Sequence, residues 1–419
     1  MSRETTHTVR DVRCAPGELS FDVEVCGIEQ TIWFKTDAPV TPNADAVLAT
    51  CLLPAQLWGG TLEIDAPISP RLLRAQGEFQ AIQRMWARGW DYGLLPLGEI
   101  DVRAPERAPA APPAGRAVAT YFSGGVDSWS VVSQYPEVTH LVFVRGLDLV
   151  HRPAAFVDDV ERRLRAAAAD LDKTLYVVDT NVRELSDSLL PWDVYFASPL
   201  AAVALLHAPL FERVLVTGDA DYETVVGQGV DPLVDHLWST EDLEIAHACG
   251  RFSRVERTAL IAEDPVAQRS LRVCWENLDG AYNCGRCRKC LSTMLTLEAL
   301  GKREPFTTFP ARLDLAPLAD VAIPNLLVLA LWQDILDLIR ERGRGDLEPA
   351  VAAVVGRGKR GLGLPDSFRV RGAASGRSGV EEDRELQARL ETVLDSRSWR
   401  LTAPLRRVGR RLSRTRSRA

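Results

Sequence analysis

The sequence predicts an α/β fold, a parallel sheet with helices on both faces, and three observations lead there. Short apolar runs at 118–122, 141–144, 175–178 and 214–217 are separated by longer helical stretches. This is the alternation that builds parallel strands joined by crossover helices. A Gly-Gly turn follows the first run directly and opens into a helical segment. The third observation is size: 419 residues, 46% apolar and 26% charged, with a net charge of −7, are enough for large cores and two or three domains.

Along the chain, residues 1–102 read as a small α+β domain. Phe21-Asp-Val-Glu-Val and Thr61-Leu-Glu-Ile-Asp alternate as half-buried strands do, and 70–87 carries a helical pattern. A Pro/Ala-rich linker is expected at 103–116, where four prolines fall within a few residues. The sheet domain is expected over 117–270, with ligands at the carboxyl ends of its strands. Two of those ends are polar: Arg145-Gly146-Leu-Asp148, and Thr217-Gly218-Asp219-Ala-Asp221-Tyr222, which is acidic enough for magnesium or substrate and equally suited to capping a helix. Residues 227–240 form a long loop in which His236 reads as a structural hydrogen-bonding residue.

A cysteine-rich and helical region is expected over 271–345. Its apolar run at 321–339 is split by Pro324 and interrupted by Asp334 and Asp337, so it reads as a packed helix and not a membrane span. Gly, Arg and Ser then dominate, and 346–395 reads as a flexible linker. The tail, 396–419, holds nine arginines and no acids, leaving −16 for the rest of the chain. Trp399, Leu401, Leu405, Val408 and Leu412 recur beneath them at near-helical spacing. Such a segment reads either as a basic amphipathic helix for anionic lipid or an acidic partner, or as a disordered basic tail.

Two segments carry chemistry. In Ser123-Gly124-Gly125-Val126-Asp127-Ser128 the glycines let the backbone turn tightly and present N–H groups, hydroxyls stand at both ends, and a helix N-terminus follows. That combination suits a phosphate. It lacks the lysine of a Walker loop. In the second segment Cys284, Cys287 and Cys290 stand two residues apart in series, with Cys274 upstream and Gly285 able to form the turn of a knuckle. Four thiolates so spaced fit zinc best; an iron–sulfur cluster and a redox-active disulfide are the alternatives the spacing leaves open. Arg286 and Lys289 lie between these cysteines and could reach a phosphate or simply face water. Cys14, Cys26, Cys51 and Cys249 sit singly and read as buried thiols of a reducing compartment.

The Ser-Gly-Gly-x-Asp-Ser loop resembles the PP-loop of the N-type ATP pyrophosphatases, whose fold is adenine nucleotide alpha-hydrolase-like. Together with the cysteine cluster it is similar, over roughly 117–300, to the 7-cyano-7-deazaguanine synthase family. The resemblance implies that Ser123, Gly124, Gly125, Val126, Asp127 and Ser128 hold the pyrophosphate of ATP, that Asp127 and Ser128 are the catalytic pair, and that Asp127 organises the loop and its Mg2+. It places adenine and ribose by the ends of the neighbouring strands, at Val144 and Gly218, and implies Zn2+ on Cys274, Cys284, Cys287 and Cys290. The implied reaction joins AMP to an oxygen of a small carboxylate or amide, releases pyrophosphate, and lets a nucleophile displace AMP to give an amide or nitrile.

Position 2 is Ser and no Gly-x-Cys-x-Gly elbow occurs, so ammonia is expected from outside the chain. Sulfur insertion through some of the cysteines and a non-catalytic nucleotide-binding role are the alternatives. The segment Ser396-Arg-Ser-Trp-Arg-Leu-Thr-Ala-Pro-Leu-Arg406 resembles a tail of bacterial surface-polysaccharide glycosyltransferases, a hint of a cell-envelope setting. A polar N-terminus predicts a cytoplasmic protein, with the inner membrane face open to its tail. The acidic body argues against nucleic acid, and homo-oligomerisation is left open.

Overall fold

The structure is a computed structural model and describes residues 5–89, 95–108, 113, 115–224, 227 and 229–371. Its strands are β1 (Thr6–Ala15), β2 (Glu18–Val25), β3 (Ile28–Thr36), β4 (Gly60–Ile64), β5 (Ile100–Arg103), β6 (Ala117–Tyr121), β7 (Val138–Arg145), β8 (Thr174–Thr180), β9 (Phe211–Val216) and β10 (Glu244–His247). All ten belong to one mostly parallel sheet in the order β10-β9-β6-β7-β8-β3-β2-β1-β4-β5. β10, β9, β6, β7 and β8 run parallel, as do β1, β4 and β5, while β8, β3, β2 and β1 pair antiparallel in turn.

The four apolar runs are the strands β6 to β9, and their side chains divide between two cores. Leu141 and Phe143 of β7 enter one core and Val142 the other; Leu175 and Val177 of β8 oppose Val178; Val214 and Val216 of β9 oppose Leu215. This period of two on strands covered from both sides is why they read as continuous apolar runs. One face is covered by the helices Asp45–Gln56 and Ala197–Leu206, which pack on each other. Helices Val126–Gln134 and Ala154–Asp170 cover the other.

Residues 6–103 do not form a sheet of their own. β3 adds to β8 through Phe34↔Thr180, Lys35↔Asp179 and Thr36↔Val178, so the N-terminal strands extend the α/β sheet. The physical reason is the edge: β8 would otherwise end the parallel sheet with unpaired backbone groups, and β3 covers them. Side chains fasten the seam. Asp37 accepts from the Val177 N–H at 2.8 Å, and the buried His207 ring lies 3.0 Å from the Thr36 hydroxyl and 2.8 Å from the Val203 carbonyl. A carbonyl only accepts, so the proton sits on Nδ1 and Nε2 accepts from Thr36.

The expected linker is ordered at its start. Arg107 lies 3.2 Å from the fully buried Asp45 and 2.7 Å from Asp242, tying the segment to both halves of the sheet. Residues 109–112 and 114 lie outside the described residues.

The expectation of a flexible linker from 346 is corrected. Glu348–Gly361 is a helix packed against Leu326–Glu341, burying Val351, Val354 and Val355. Its glycines mislead because one is there for packing: a Cβ on Gly358 would stand 2.5 Å from the Ile323 side chain. Leu326–Glu341 is the packed helix expected at 321–339, started by Asn325, whose side chain accepts from the Val328 N–H at 3.0 Å. The remainder of that linker beyond 371, and the tail 396–419, lie outside the described residues. Among the described residues no helix is long and apolar enough to cross a membrane. Cys51 and Cys249 are buried as expected, Cys26 is half-buried, and Cys14 is exposed, since it lies at the uncovered end of β1, whose last three residues are all exposed.

Candidate functional site

The loop 123–128 lies at the carboxyl end of β6, a central strand flanked by β9 and β7. Gly124 has φ +76°, a conformation open to glycine, and a Cβ there would stand 2.9 Å from the Leu164 side chain. Gly125 is extended and precedes the helix Val126–Gln134. The Ser128 hydroxyl donates to the Gly125 carbonyl at 2.9 Å, and the Trp129 N–H donates to the same oxygen at 3.0 Å, closing the first turn. The backbone N–H groups of Gly124, Gly125, Val126, Asp127 and Ser128 find no acceptor among the described residues. Five neighbouring donors without a partner, with the helix dipole behind them, are an arrangement suited to an anion.

Around the loop, cations outnumber carboxylates. Asp127 has both oxygens engaged: Arg254 at 2.6 Å and Arg257 at 2.9 Å. Arg254 also reaches Asp219 at 2.8 Å, and Lys289 lies 3.8 Å from Asp219. The Lys289 ammonium first, and then Arg254, hold the Asp219 carboxyl well below the usual carboxylate range. Arg257, fully buried, donates to the carbonyls of Gly218, Ala220 and Cys249 at 2.5, 2.9 and 3.0 Å, so it binds the loop, the turn after β9 and the end of β10 together. A capping box between Ser253 and Glu256 starts the short helix that carries both arginines.

Arg272 is the cation without a carboxylate. Its N–H donates to the Gly124 carbonyl at 2.8 Å, and its Cβ lies 3.6 Å from the place a Gly124 Cβ would take. The residue is 6% exposed, makes no ion pair among the described residues, and its Nε has no acceptor. Burial pushes the guanidinium below its ordinary value.

The predicted residues fall into place unevenly. Ser123 through Ser128 form one loop, as their contiguity requires. Gly218 is brought to it, but its carbonyl is taken by Arg257 and a Cβ would lie 2.8 Å from the Val230 carbonyl. Val144 stands near the end of β7, half-buried and paired with Val178. Asp221 accepts from the N–H groups of Glu223 and Thr224 at 3.0 and 3.1 Å and so caps its own turn. His236 is exposed; its neighbour Asp235 instead holds His247, at 2.7 Å. Arg286 pairs with Asp279 away from the loop, whereas Lys289 reaches Asp219 beside it. Arg254, Arg257 and Arg272 were not found by sequence reasoning. None lies in a motif; each arrives through tertiary packing from more than 120 positions beyond the loop.

Past Arg272 stands a second centre. Cys274, Cys284, Cys287 and Cys290 are all buried, their sulfurs lie within 4.8 Å of one another, and together they can hold a metal ion. Cys274 and Cys287 are 3.7 Å apart, Cys284 and Cys290 4.0 Å. Gly285, at φ +69°, forms the turn between the first two ligands of the run. Backbone N–H groups of Asn277 and Cys287 point at the sulfurs of Cys274 and Cys284, at 3.1 and 3.3 Å, as they do around thiolates. Asn283 fixes the approach of the chain: its Oδ1 accepts from the N–H groups of Val273 and Cys274.

No family model matches this chain, and neither the curated proteins nor the solved structures give a match.

Proposed function

We propose that the chain is an ATP-dependent adenylating enzyme of the PP-loop type. One observation carries the reading: the five unpartnered N–H groups of residues 124–128, set at a strand end beside a surplus of positive charge. In this reading the loop takes the β- and γ-phosphates of ATP with Mg2+. An oxygen of a small carboxylate or amide attacks the α-phosphorus, the bond to pyrophosphate breaks, and the loop donors stabilise the departing charge. On a carboxylate substrate a nitrogen nucleophile then displaces AMP, forming the amide; an amide activated on its oxygen instead gives up its two N–H protons and eliminates AMP, forming the nitrile. Asp127 acts through the two arginines it holds, which fixes their guanidinium groups at the anion site. Ser128 supports the loop through Gly125.

The metal centre is proposed to be zinc. Four sulfurs around one zinc at about 2.3 Å stand about 3.8 Å apart, whereas a disulfide needs about 2.05 Å; the separations of 3.7 and 4.0 Å fit the tetrahedron. Ligands of an iron–sulfur cluster sit on different irons and stand farther apart. Burial of all four sulfurs argues against a sulfur relay, which needs a thiol the substrate can reach.

The test is ATP–pyrophosphate exchange with labelled pyrophosphate and Mg2+ over pooled carboxylates, sugar acids and deazapurines. Exchange driven by one pool, and lost in Gly124→Val, whose side chain meets Leu164, is the expected result. ATP binding with silence across every pool would replace the reading with a non-catalytic nucleotide-binding protein; no binding of ATP would end it.

A further inference from the structure

Burying a guanidinium without a counter-charge costs several kcal/mol, so proteins pair such groups or use them. Arg254, Arg257 and Lys289 are paired. Arg272 is more deeply buried than Lys289 and has no carboxylate partner among the described residues; the groups that act on it electrostatically are the Tyr282 phenol, Asp148 and the Cys274 sulfur, of which Asp148 is exposed and hydrogen-bonded to the Trp192 indole at 3.3 Å. Arg152, on the same side, is already anchored on the Trp275 carbonyl at 2.5 Å. The position of Arg272 is set from both directions: its own N–H is fixed to Gly124, and two residues later the chain enters the cysteine cluster through Cys274.

We infer that Arg272 is held unpaired to receive the phosphate chain of the nucleotide, so that the metal knuckle serves as the arm that delivers the anion-site cation to the loop. This rests on the nucleotide reading above and adds to it a residue and a function for the metal. The bound anion supplies the missing counter-charge, so the free protein carries an electrostatic strain that ligand relieves. A bidentate guanidinium also suits phosphate oxygens better than a point charge does.

The experiment compares the metal-loaded full chain with Arg272→Met and Arg272→Gln. It measures inorganic pyrophosphate affinity by calorimetry, melting temperature with and without pyrophosphate, and metal content. Both variants are expected to lose pyrophosphate affinity by about tenfold or more, the scale of one charge-assisted contact. Arg272→Met is expected to melt at or above the wild-type temperature without ligand, because removing an uncompensated buried charge relieves strain. It is also expected to gain less from added pyrophosphate, with metal content unchanged.

Wild-type affinity in either variant overturns the inference and leaves the nucleotide reading standing. A lowered melting temperature with lost metal overturns it differently, showing that Arg272 neutralises the thiolates. Failure of the wild-type protein to bind pyrophosphate and ATP removes both the inference and the reading.

Discussion

Two clusters of buried charge sit on this sheet, and they are balanced in opposite ways. Around Arg107, one guanidinium faces Asp45 and Asp242, with Glu241 at 4.0 Å, and Glu241 in turn accepts from Ser69 and the Arg71 N–H. Carboxylates are in excess there, and they are spent on protein groups. Around the 123–128 loop, cations are in excess, and among the described residues one of them makes no ion pair and five backbone donors find no acceptor. The first arrangement joins distant segments: residues 45, 69–71 and 107 to residues 240–242. The second leaves a vacancy in charge. The contrast separates a structural weld from the site proposed to bind an anion without any appeal to resemblance.

The largest test of that contrast is Arg107→Met. It strands Asp45, which is fully buried, and breaking a buried pair from one side costs about 3–5 kcal/mol. Urea denaturation should show that loss while ATP affinity stays within about twofold. A loss below about 1 kcal/mol would mean the cluster is not a weld.

Next in size is the acid limb of the β3–β8 seam. Burial lowers the His207 pKa to about 4 in the folded protein, against about 6.5 unfolded. The folded state thus prefers the neutral ring. Its stability contribution is complete above pH 6.5 and is lost as pH falls from about 6.5 to 4, approaching about 3 kcal/mol. His207→Gln should flatten that limb in a pH series of chemical denaturations; an unchanged limb would place the titrating group elsewhere.

The smallest stability effect belongs to the loop cluster. Asp219 is half exposed, so Asp219→Asn should cost less than about 1 kcal/mol. It should nonetheless tighten pyrophosphate binding severalfold, because Arg254 and Lys289 lose a competitor. Weaker binding in that variant would show that Asp219 is needed to aim them.

How far the sequence foretold this depends on contiguity. The loop and the four cysteines were legible because their spacing in the chain is their spacing in the site. Strands β6 to β9 were legible because burial on both faces leaves unbroken apolar runs. Pairing of β3 with β8 left no local mark: three residues on each strand make it, and Lys35 and Asp179 read as surface. The arginines of the site resemble dozens of others until packing selects them. The glycines of 348–361 were misread because flexibility and close packing use the same residue, and only Ile323 tells which applies.

The hydrogen bond from Arg272 to Gly124 also sets an order of events during synthesis. The loop is translated early, yet its cations come from residues 254–289 and the four-cysteine cluster is complete only at Cys290. At about 5–20 residues per second the ribosome needs roughly 8–30 s to pass from the loop to the last thiol. A nascent chain therefore carries the loop long before it carries the charge that surrounds it, and under the proposed reading nucleotide capture would wait for the chain through Cys290.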